Sequence, residues 1–504
     1  MDEAPLTGES SLEIVATGIP YLDDILGGGL PRGAIVMVVG APGTGKTTLA
    51  QQMAFHAASE GATTLYLTGY SETHTKLVAY GRGFHFFEPG RVGTLIQYLS
   101  LVDLLARGAD ETERSIVRTA REQRARLVVL DGYRSIRRLL GDEPASTDFL
   151  YSLGSKLALL GSTTVVATEG EADAPERYGE MTVSDTVIGL TRRRYGERYR
   201  RTLDVVKVRG MAPIEGLHGF EITSAGIDIY PRLEATAPRG DAAPSGRRAD
   251  FGIRDLDAML GGGLPEGTAT LVAGAPGVGK TLLGLHFLVA GARAAEPGLL
   301  VGFVEDRPRL REKARAFGMD LEAEERAGRI LLLAIPSYEL DPDRVARLVR
   351  EEIERREVRR VVIDSVAELD RAFPERVRAP DYFAALAHEL RVRGVTSYLT
   401  LDVSKVVGQE LDLTDSAVAM LAENLILLRY VEYRGRLRRL LSILKMRSSG
   451  HDDTIHTYEI ADGVGLRLLG AAPPARGLLT GIAHDLDVPE SRTRRRRAPG
   501  WSRA

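Results

Sequence analysis

The sequence predicts an α/β chain made of two tandem copies of one domain. Each copy is a mostly parallel, twisted sheet with helices on both faces and a C-terminal antiparallel extension. Three observations lead there. The first is length: 504 residues exceed one ordinary core and suit two domains. The second is internal repetition. The run Thr17-Gly-Ile-Pro-Tyr-Leu-Asp-Asp-Ile-Leu-Gly-Gly-Gly-Leu-Pro-Arg-Gly33 returns as Phe251-Gly-Ile-Arg-Asp-Leu-Asp-Ala-Met-Leu-Gly-Gly-Gly-Leu-Pro-Glu-Gly267. Gly40–Thr47 returns as Gly274–Thr281, a spacing of 274 − 40 = 234; Asp131 returns as Asp364, 233 residues on, and Lys207-Val-Arg209 as Lys445-Met-Arg447, 238 on. One order at nearly one spacing denotes a duplicated domain, and the period is far too long for a solenoid. The third observation is the alternation of short β-rich runs with helical ones.

The elements of the first copy follow in order. Ala34–Val39 is an apolar strand, followed by a glycine loop and a helix from Lys46 to Ser59. Thr63–Thr68 is a second strand with a helix behind it, expected beside the first strand. Leu127–Leu130 and Thr163–Ala167 are buried strands, each preceded by a helix. Val183–Thr191, Arg198–Val208, His218–Ile222 and Ile227–Tyr230 read as successive antiparallel strands that finish the domain. The second copy repeats this course. The predicted division is a first domain over 12–231, a linker over 232–248 rich in Ala, Pro, Gly and Arg, a second domain over 249–469, and a disordered basic tail over 470–504 ending in Arg494–Arg497. The tail is read as solvated, or alternatively as a dock for an acidic partner.

Composition excludes several classes. Sixty-six Lys and Arg against 69 Asp and Glu leave a formal charge of -3, which does not favour nucleic acid as a partner. There are no cysteines, so disulfides, thiolate metal sites and cysteine nucleophiles are out. No apolar run approaches the roughly 20 residues that span a bilayer, and Met1–Leu12 is acidic and polar rather than a secretory leader. A cytoplasmic protein that does not enter a membrane is expected.

The chemistry concentrates in the glycine loops. Gly40, Ala41, Pro42, Gly43, Thr44, Gly45, Lys46 and Thr47, with Thr48 next, fit G-x-x-x-x-G-K-[ST]. Gly274, Ala275, Pro276, Gly277, Val278, Gly279, Lys280 and Thr281, with Leu282 next, fit it again. Each follows an apolar strand and opens a helix, the context this phosphate-binding motif needs. Glycines let backbone N–H groups converge on phosphate oxygens and the helix N-terminus adds partial positive charge. Lys46 and Lys280 are expected on the β- and γ-phosphates of ATP, and Thr47 and Thr281 on Mg²⁺. Asp131 and Asp364, each ending a buried strand, are expected on the metal side. Glu72 after the second strand, and Glu305 with Asp306 in the second copy, are the carboxylates available to orient or deprotonate water; compensation of a helix dipole is the other reading of such residues. Lys207 with Arg209, and Lys445 with Arg447, share a strand face and could serve a neighbouring subunit's γ-phosphate.

These residues resemble the KaiC family and, more loosely, bacterial RadA and RecA. The likeness covers about Leu12 to Leu469 and rests on the Thr-Gly-Ile-Pro…Leu-Gly-Gly-Gly-Leu-Pro run, both phosphate loops, and Lys445-Met-Arg447 after Tyr430-Val-Glu-Tyr-Arg-Gly435. The resemblance implies RecA-like P-loop NTPase domains, a homo-oligomer of hexameric type with ATP between subunits, and a regulatory output through a protein partner. It also implies paired glutamates after the second strand, which fall on Glu305 with Asp306 and on Ser71 with Glu72. The family's adjacent phospho-acceptors fall on Ala419 and Met420, with Thr414 and Ser416 the nearest hydroxyls, so clock-type autophosphorylation is not expected. Two further readings stand beside the regulatory ATPase. A DNA repair or recombination ATPase is opposed by the acidic Thr168–Glu176 segment, with Glu169, Glu171, Asp173 and Glu176 where phosphate contacts would want cations. An ATP-stabilised scaffold without turnover is the third.

Overall fold

A computed structural model describes residues 13–69, 74–141, 143–171, 179–195, 197–241, 243–403, 421–447, 449–478 and 483–485. Ser71, Glu72, Asp173, Glu176, Thr414, Ser416, Ala419, Met420 and the basic run 494–497 lie outside them. The chain divides into two compact units, one reaching to Ala237 and including Asp341–Leu348, the other formed by Pro238–Leu340 and the rest after Leu348.

In the first unit the main strands are β1 (Ile35–Gly40), β2 (Thr64–Thr68), β3 (Ile96–Ser100), β4 (Leu127–Asp131), β5 (Thr163–Thr168), β6 (Thr186–Tyr195), β7 (Arg198–Val208), β8 (His218–Thr223) and β9 (Gly226–Tyr230). They form one nine-stranded sheet in the order β9-β8-β7-β6-β1-β5-β4-β2-β3. The pairs from β6 through β1, β5, β4 and β2 to β3 are parallel, whereas β6, β7, β8 and β9 pair antiparallel. The second unit repeats the plan with β10 (Ala269–Gly274), β11 (Gly298–Gly302), β12 (Ile330–Ala334), β13 (Arg360–Asp364), β14 (Thr396–Asp402), β15 (Asn424–Tyr433), β16 (Arg436–Met446), β17 (His456–Ala461) and β18 (Gly465–Ala471). Their order is β18-β17-β16-β15-β10-β14-β13-β11-β12, the same topology strand for strand.

Strands such as β1, β4 and β11 are apolar almost throughout because both faces of the sheet are covered. In β1, Val36 and Val38 join the core beneath the helix Lys46–Ser59, while Ile35, Met37 and Val39 join the opposite core with Leu65, Leu67, Val128 and Leu130. The period of two along each strand therefore feeds two cores at once.

The structure differs from expectation at several points. The second strand, β2, does not lie beside the phosphate-loop strand β1; β5 and β4 stand between them. Val183 ends a helix, Gly179–Val183, and the strand starts at Thr186. That strand, β6, pairs with β1 in parallel and with β7 antiparallel, so it joins the parallel strands to the antiparallel extension. The half-polar edge strand β3 was not foreseen, because Gln97 and Ser100 break its apolar run. Nor is the stretch after 469 without structure throughout: Ala475–Arg476 pair with His484–Asp485, and Leu478 and Ala483 pack on Val431, Tyr433 and Leu440.

Candidate functional site

Each glycine loop leaves the C-terminal end of its strand and runs into a fourteen-residue helix, Lys46–Ser59 or Lys280–Arg293. Two glycines show why the motif is glycine-rich. Gly45 and Gly279 cap these helices at φ 112 and 108, where a side chain is strained, and a Cβ on either would stand 2.9 Å from an isoleucine methyl, Ile222 or Ile460. The loop lysines curl back over their own loops. Lys46 Nζ donates to the carbonyls of Gly40 (2.8 Å) and Ala41 (3.0 Å); Lys280 Nζ donates to those of Gly274 (2.9 Å) and Ala275 (3.0 Å). Burial depresses the Lys46 pKa, with Glu169 and Asp131 opposing the shift.

Each loop threonine meets a strand-ending aspartate. Thr281 Oγ1 donates to Asp364 Oδ2 at 2.6 Å, and Thr47 bonds the Asp131 carboxylate. Parallel ladders cause the meeting: β5 and β14 hold β4 and β13 in register with the loop strands, so the carboxylates end near the loops. The second oxygen donor differs between units. Asp131 also accepts from Tyr66 on β2 at 2.9 Å; Asp364 accepts from Thr400 on β14 at 2.5 Å. Burial pushes the Asp131 carboxyl upward, and the Tyr66 and Thr47 hydroxyls and the Lys46 charge resist it. A hydroxyl and a carboxylate offering only oxygen suit Mg²⁺, which takes one or two carboxylates and completes its shell with phosphate and water.

In the second unit these groups line one open cleft of about 430 Å³, a volume suited to a small ligand. Lys280, Thr281, Asp364, Glu305 and Asp402 all face it. Glu305 is ion-paired with Lys313, and its Oε2 is buried without a hydrogen-bond partner among the described residues. Asp306 is not on the cleft wall: it caps the helix Arg307–Ala316, accepting from Arg309 N at 2.9 Å. The structure thus separates the two carboxylates that the sequence placed together. Glu72 lies outside the described residues.

Sequence reasoning missed three groups of site residues. Asp402, at the end of β14, forms an ion pair with Lys280 at 2.7 Å. Its counterpart Glu169, read only as a bar to nucleic acid, follows directly on Thr168 of β5 and sits close enough to act on the Lys46 charge. The tyrosines of the second unit were also missed. Tyr430 OH donates to Gly277 O at 2.8 Å, buried Tyr458 OH to Val278 O at 2.6 Å, and Tyr398 OH to Lys280 O at 2.7 Å. The signal was weak: Tyr398 and Thr400 stand among other polar residues in Thr396–Asp402.

The Lys-x-Arg elements lie elsewhere. Lys207 pairs with Val187 and Arg209 N bonds Asp185 O, both level with the start of β1. Arg209 also reaches Asp185 Oδ1 and the Thr182 carbonyl. Lys445 pairs with Leu425 and Arg447 N bonds Glu423 O, level with the start of β10. In both units the register slips one residue before the lysine, leaving Val206 or Leu444 as a bulge. The five residue steps from Ile35 to Gly40 span about 17 Å at the usual strand rise, so each pair stands at the opposite edge of its sheet from its own phosphate loop. Burial, and then the neighbouring arginine, lower the Lys207 and Lys445 pKa values.

Comparison with known proteins agrees with this architecture. The sequence model of the family described as "ATPase: KaiC" matches residues 15–234 and again 249–471. The circadian clock oscillator protein KaiC of Rippkaea orientalis is 30% identical over 457 residues, covering 88% of this chain and 87% of that one. KaiC of Synechococcus elongatus is 30% identical with the same coverage, and KaiC of Thermostichus vulcanus 29% identical over 98% of this chain and 96% of its own. Two matched repeats, each with a phosphate loop facing a strand-ending aspartate, place this chain in the KaiC family of ATPases.

Proposed function

We propose that the chain is a Mg²⁺-dependent ATP hydrolase that works as a homo-oligomer, hexameric by family likeness, and whose nucleotide state governs binding of a regulatory protein partner in the cytoplasm. The division into 12–231, 232–248, 249–469 and 470–504 is part of this reading. In each domain the loop backbone and Lys46 or Lys280 take the phosphates. Thr47 with Asp131, and Thr281 with Asp364, would hold the metal, which would supply positive charge to offset that of the phosphates. Glu305, and Glu72 in the first domain, orient a water towards the γ-phosphorus. As the new P–O bond forms, the bond to the ADP oxygen breaks, and the carboxylate receives the proton from the water. Asp306, committed to its helix cap, is left out of this step.

One observation carries the oligomeric part: the Lys-x-Arg pairs stand at the far edge of each sheet from their own loops. A cation there serves a γ-phosphate only across a boundary between protomers, as an arginine finger in trans. Ala419 and Met420 lead us to propose that ATP leaves the segment 414–424 unphosphorylated. The test is phosphate release together with light-scattering mass, in ATP and in ADP. Turnover with a mass several times 54.8 kDa is expected; a strict monomer at micromolar concentration in ATP would overturn the trans assignment.

A further inference from the structure

The two phosphate-loop lysines have different company. Lys280 Nζ has three acceptors, the carbonyls of Gly274 and Ala275 and the Asp402 carboxylate at 2.7 Å. An ammonium has three N–H donors, so this set saturates it. The Lys280 side chain is only 7% exposed, whereas Asp402 is 45% exposed on the cleft wall. A phosphate oxygen that needs Lys280 must therefore take the place of Asp402. In the first unit the same strand end carries Glu169, one methylene longer, and its carboxylate is ion-paired with Arg134. Lys46 keeps its two loop carbonyls and has no ion pair among the described residues.

We infer that Asp402 is an internal competitor for phosphate: a carboxylate that occupies the phosphate-binding lysine of the second site, lowers its nucleotide affinity below that of the first, and speeds release of bound nucleotide. This rests on the proposal that both loops bind ATP. Two electrostatic effects act together. Binding gives up the Lys280–Asp402 attraction, and the freed carboxylate then stands beside the incoming anion. Glu169 exerts neither effect at full strength, because Arg134 neutralises it. The second site thereby exchanges nucleotide while the first retains it, on the same backbone plan.

Asp402→Asn tests the inference, since it keeps the shape, removes the charge and changes a partly exposed residue. The full-length chain carries Lys46→Ala so that the second site alone reports, and a fluorescent ATP analogue gives the dissociation constant and release rate. Asp402→Asn should bind about two- to fivefold tighter, the range of a partly screened ion pair, and release more slowly. The gain should shrink between low and high salt, which a purely structural effect would not do. Glu169→Gln, measured at the first site with Lys280→Ala, should change affinity less than twofold. Equal or weaker binding by Asp402→Asn overturns the inference, as does an equal gain from Glu169→Gln. If the Lys46→Ala chain with native Asp402 binds no nucleotide, and neither does the unmodified chain, the ATPase proposal itself fails. Should Lys46→Ala impair folding, the comparison is made with Lys46 intact, where only the weaker phase of the titration should move.

Discussion

Replacing Tyr458 by Phe removes one oxygen atom from the support of the second phosphate loop. The hydroxyl donates to Val278 O at 2.6 Å, Tyr458 is 3% exposed, and Ile460 two residues on packs under Gly279. A buried carbonyl that loses such a donor forfeits about 1 to 1.5 kcal/mol of net hydrogen bonding. That loss falls on the free loop, which becomes less populated in the curled form that receives phosphate. Apparent affinity falls with that population, by about five- to twelvefold for this energy. The first domain supplies the control. Phe220 holds the third position of β8 as Tyr458 does of β17, and its ring packs beneath Gly45 without a hydroxyl. Equilibrium titration with a fluorescent ATP analogue, in the Lys46→Ala background, reads the second site; Phe220→Tyr in the Lys280→Ala background reads the first. Tyr458→Phe should weaken ATP and ADP alike, because the latch lies under the loop rather than at the γ-phosphate. An unchanged dissociation constant in a folded variant would refute the idea that hydroxyls preorganise this loop.

Three other predictions follow from the same geometry. Lys46→Ala and Lys280→Ala should each abolish nucleotide binding in one domain only, and the double variant in both, because each removes a charge-assisted contact shared by two phosphates; isothermal titration counts the sites. His286 accepts a hydrogen bond from Leu466 N at 3.2 Å, and burial, with Arg293 adding to it, lowers its pKa from 6.5 to about 4. Below pH 6.5 the unfolded chain takes a proton that the folded chain refuses, so stability present at neutral pH is lost as pH falls towards 4, by at most roughly 3 kcal/mol. Denaturation midpoints between pH 7.5 and 4.5 check this, and His286→Gln should flatten the slope, since Gln52 accepts from Ile227 N in the first unit. Arg209→Ala should cut first-domain turnover at least about 100-fold, as loss of a finger does. Mixing it with Lys46→Ala should restore part of that turnover, because some boundaries then join an intact loop to an intact arginine, and no recovery on mixing would exclude action in trans.

The fold was legible where pattern and chemistry coincide. Duplication, the apolar strands before each glycine loop, and the aspartates closing Leu127–Asp131 and Arg360–Asp364 could be read directly, because buried parallel strands allow little but apolar residues until they end. Strand order could not be read, since β2 and β5 carry the same apolar signature and only tertiary pairing puts β5 beside β1. Asp306 was hard to place for a related reason. An acidic residue just before a helix serves equally as a cap or as a site carboxylate, and only its 2.9 Å bond to Arg309 N separates the two. Asp402 escaped notice because the ion pair with Lys280 spans 122 residues of sequence, from 280 to 402.

The repeats differ mainly in the hydroxyls and charges behind the motif, not in the motif. The strand-ending aspartate is buttressed by Tyr66 from β2 in one unit and by Thr400 from β14 in the other, while Leu300 and Ala167 hold the corresponding strand positions without a hydroxyl. Three tyrosine hydroxyls fix loop carbonyls in the second unit; Arg192, Phe220 and Val165 occupy the matching places in the first. These exchanges act in opposite directions on the second site. Its loop is held in shape by donors from three strands, which favours binding, while Asp402 occupies its lysine, which opposes binding. A rigid loop with an occupied lysine keeps the geometry of the site but shortens the stay of whatever it binds. Tyr458→Phe and Asp402→Asn therefore should shift affinity in opposite senses. Because Val278 O and Lys280 Nζ belong to one loop, the double variant measures how strongly the two effects couple.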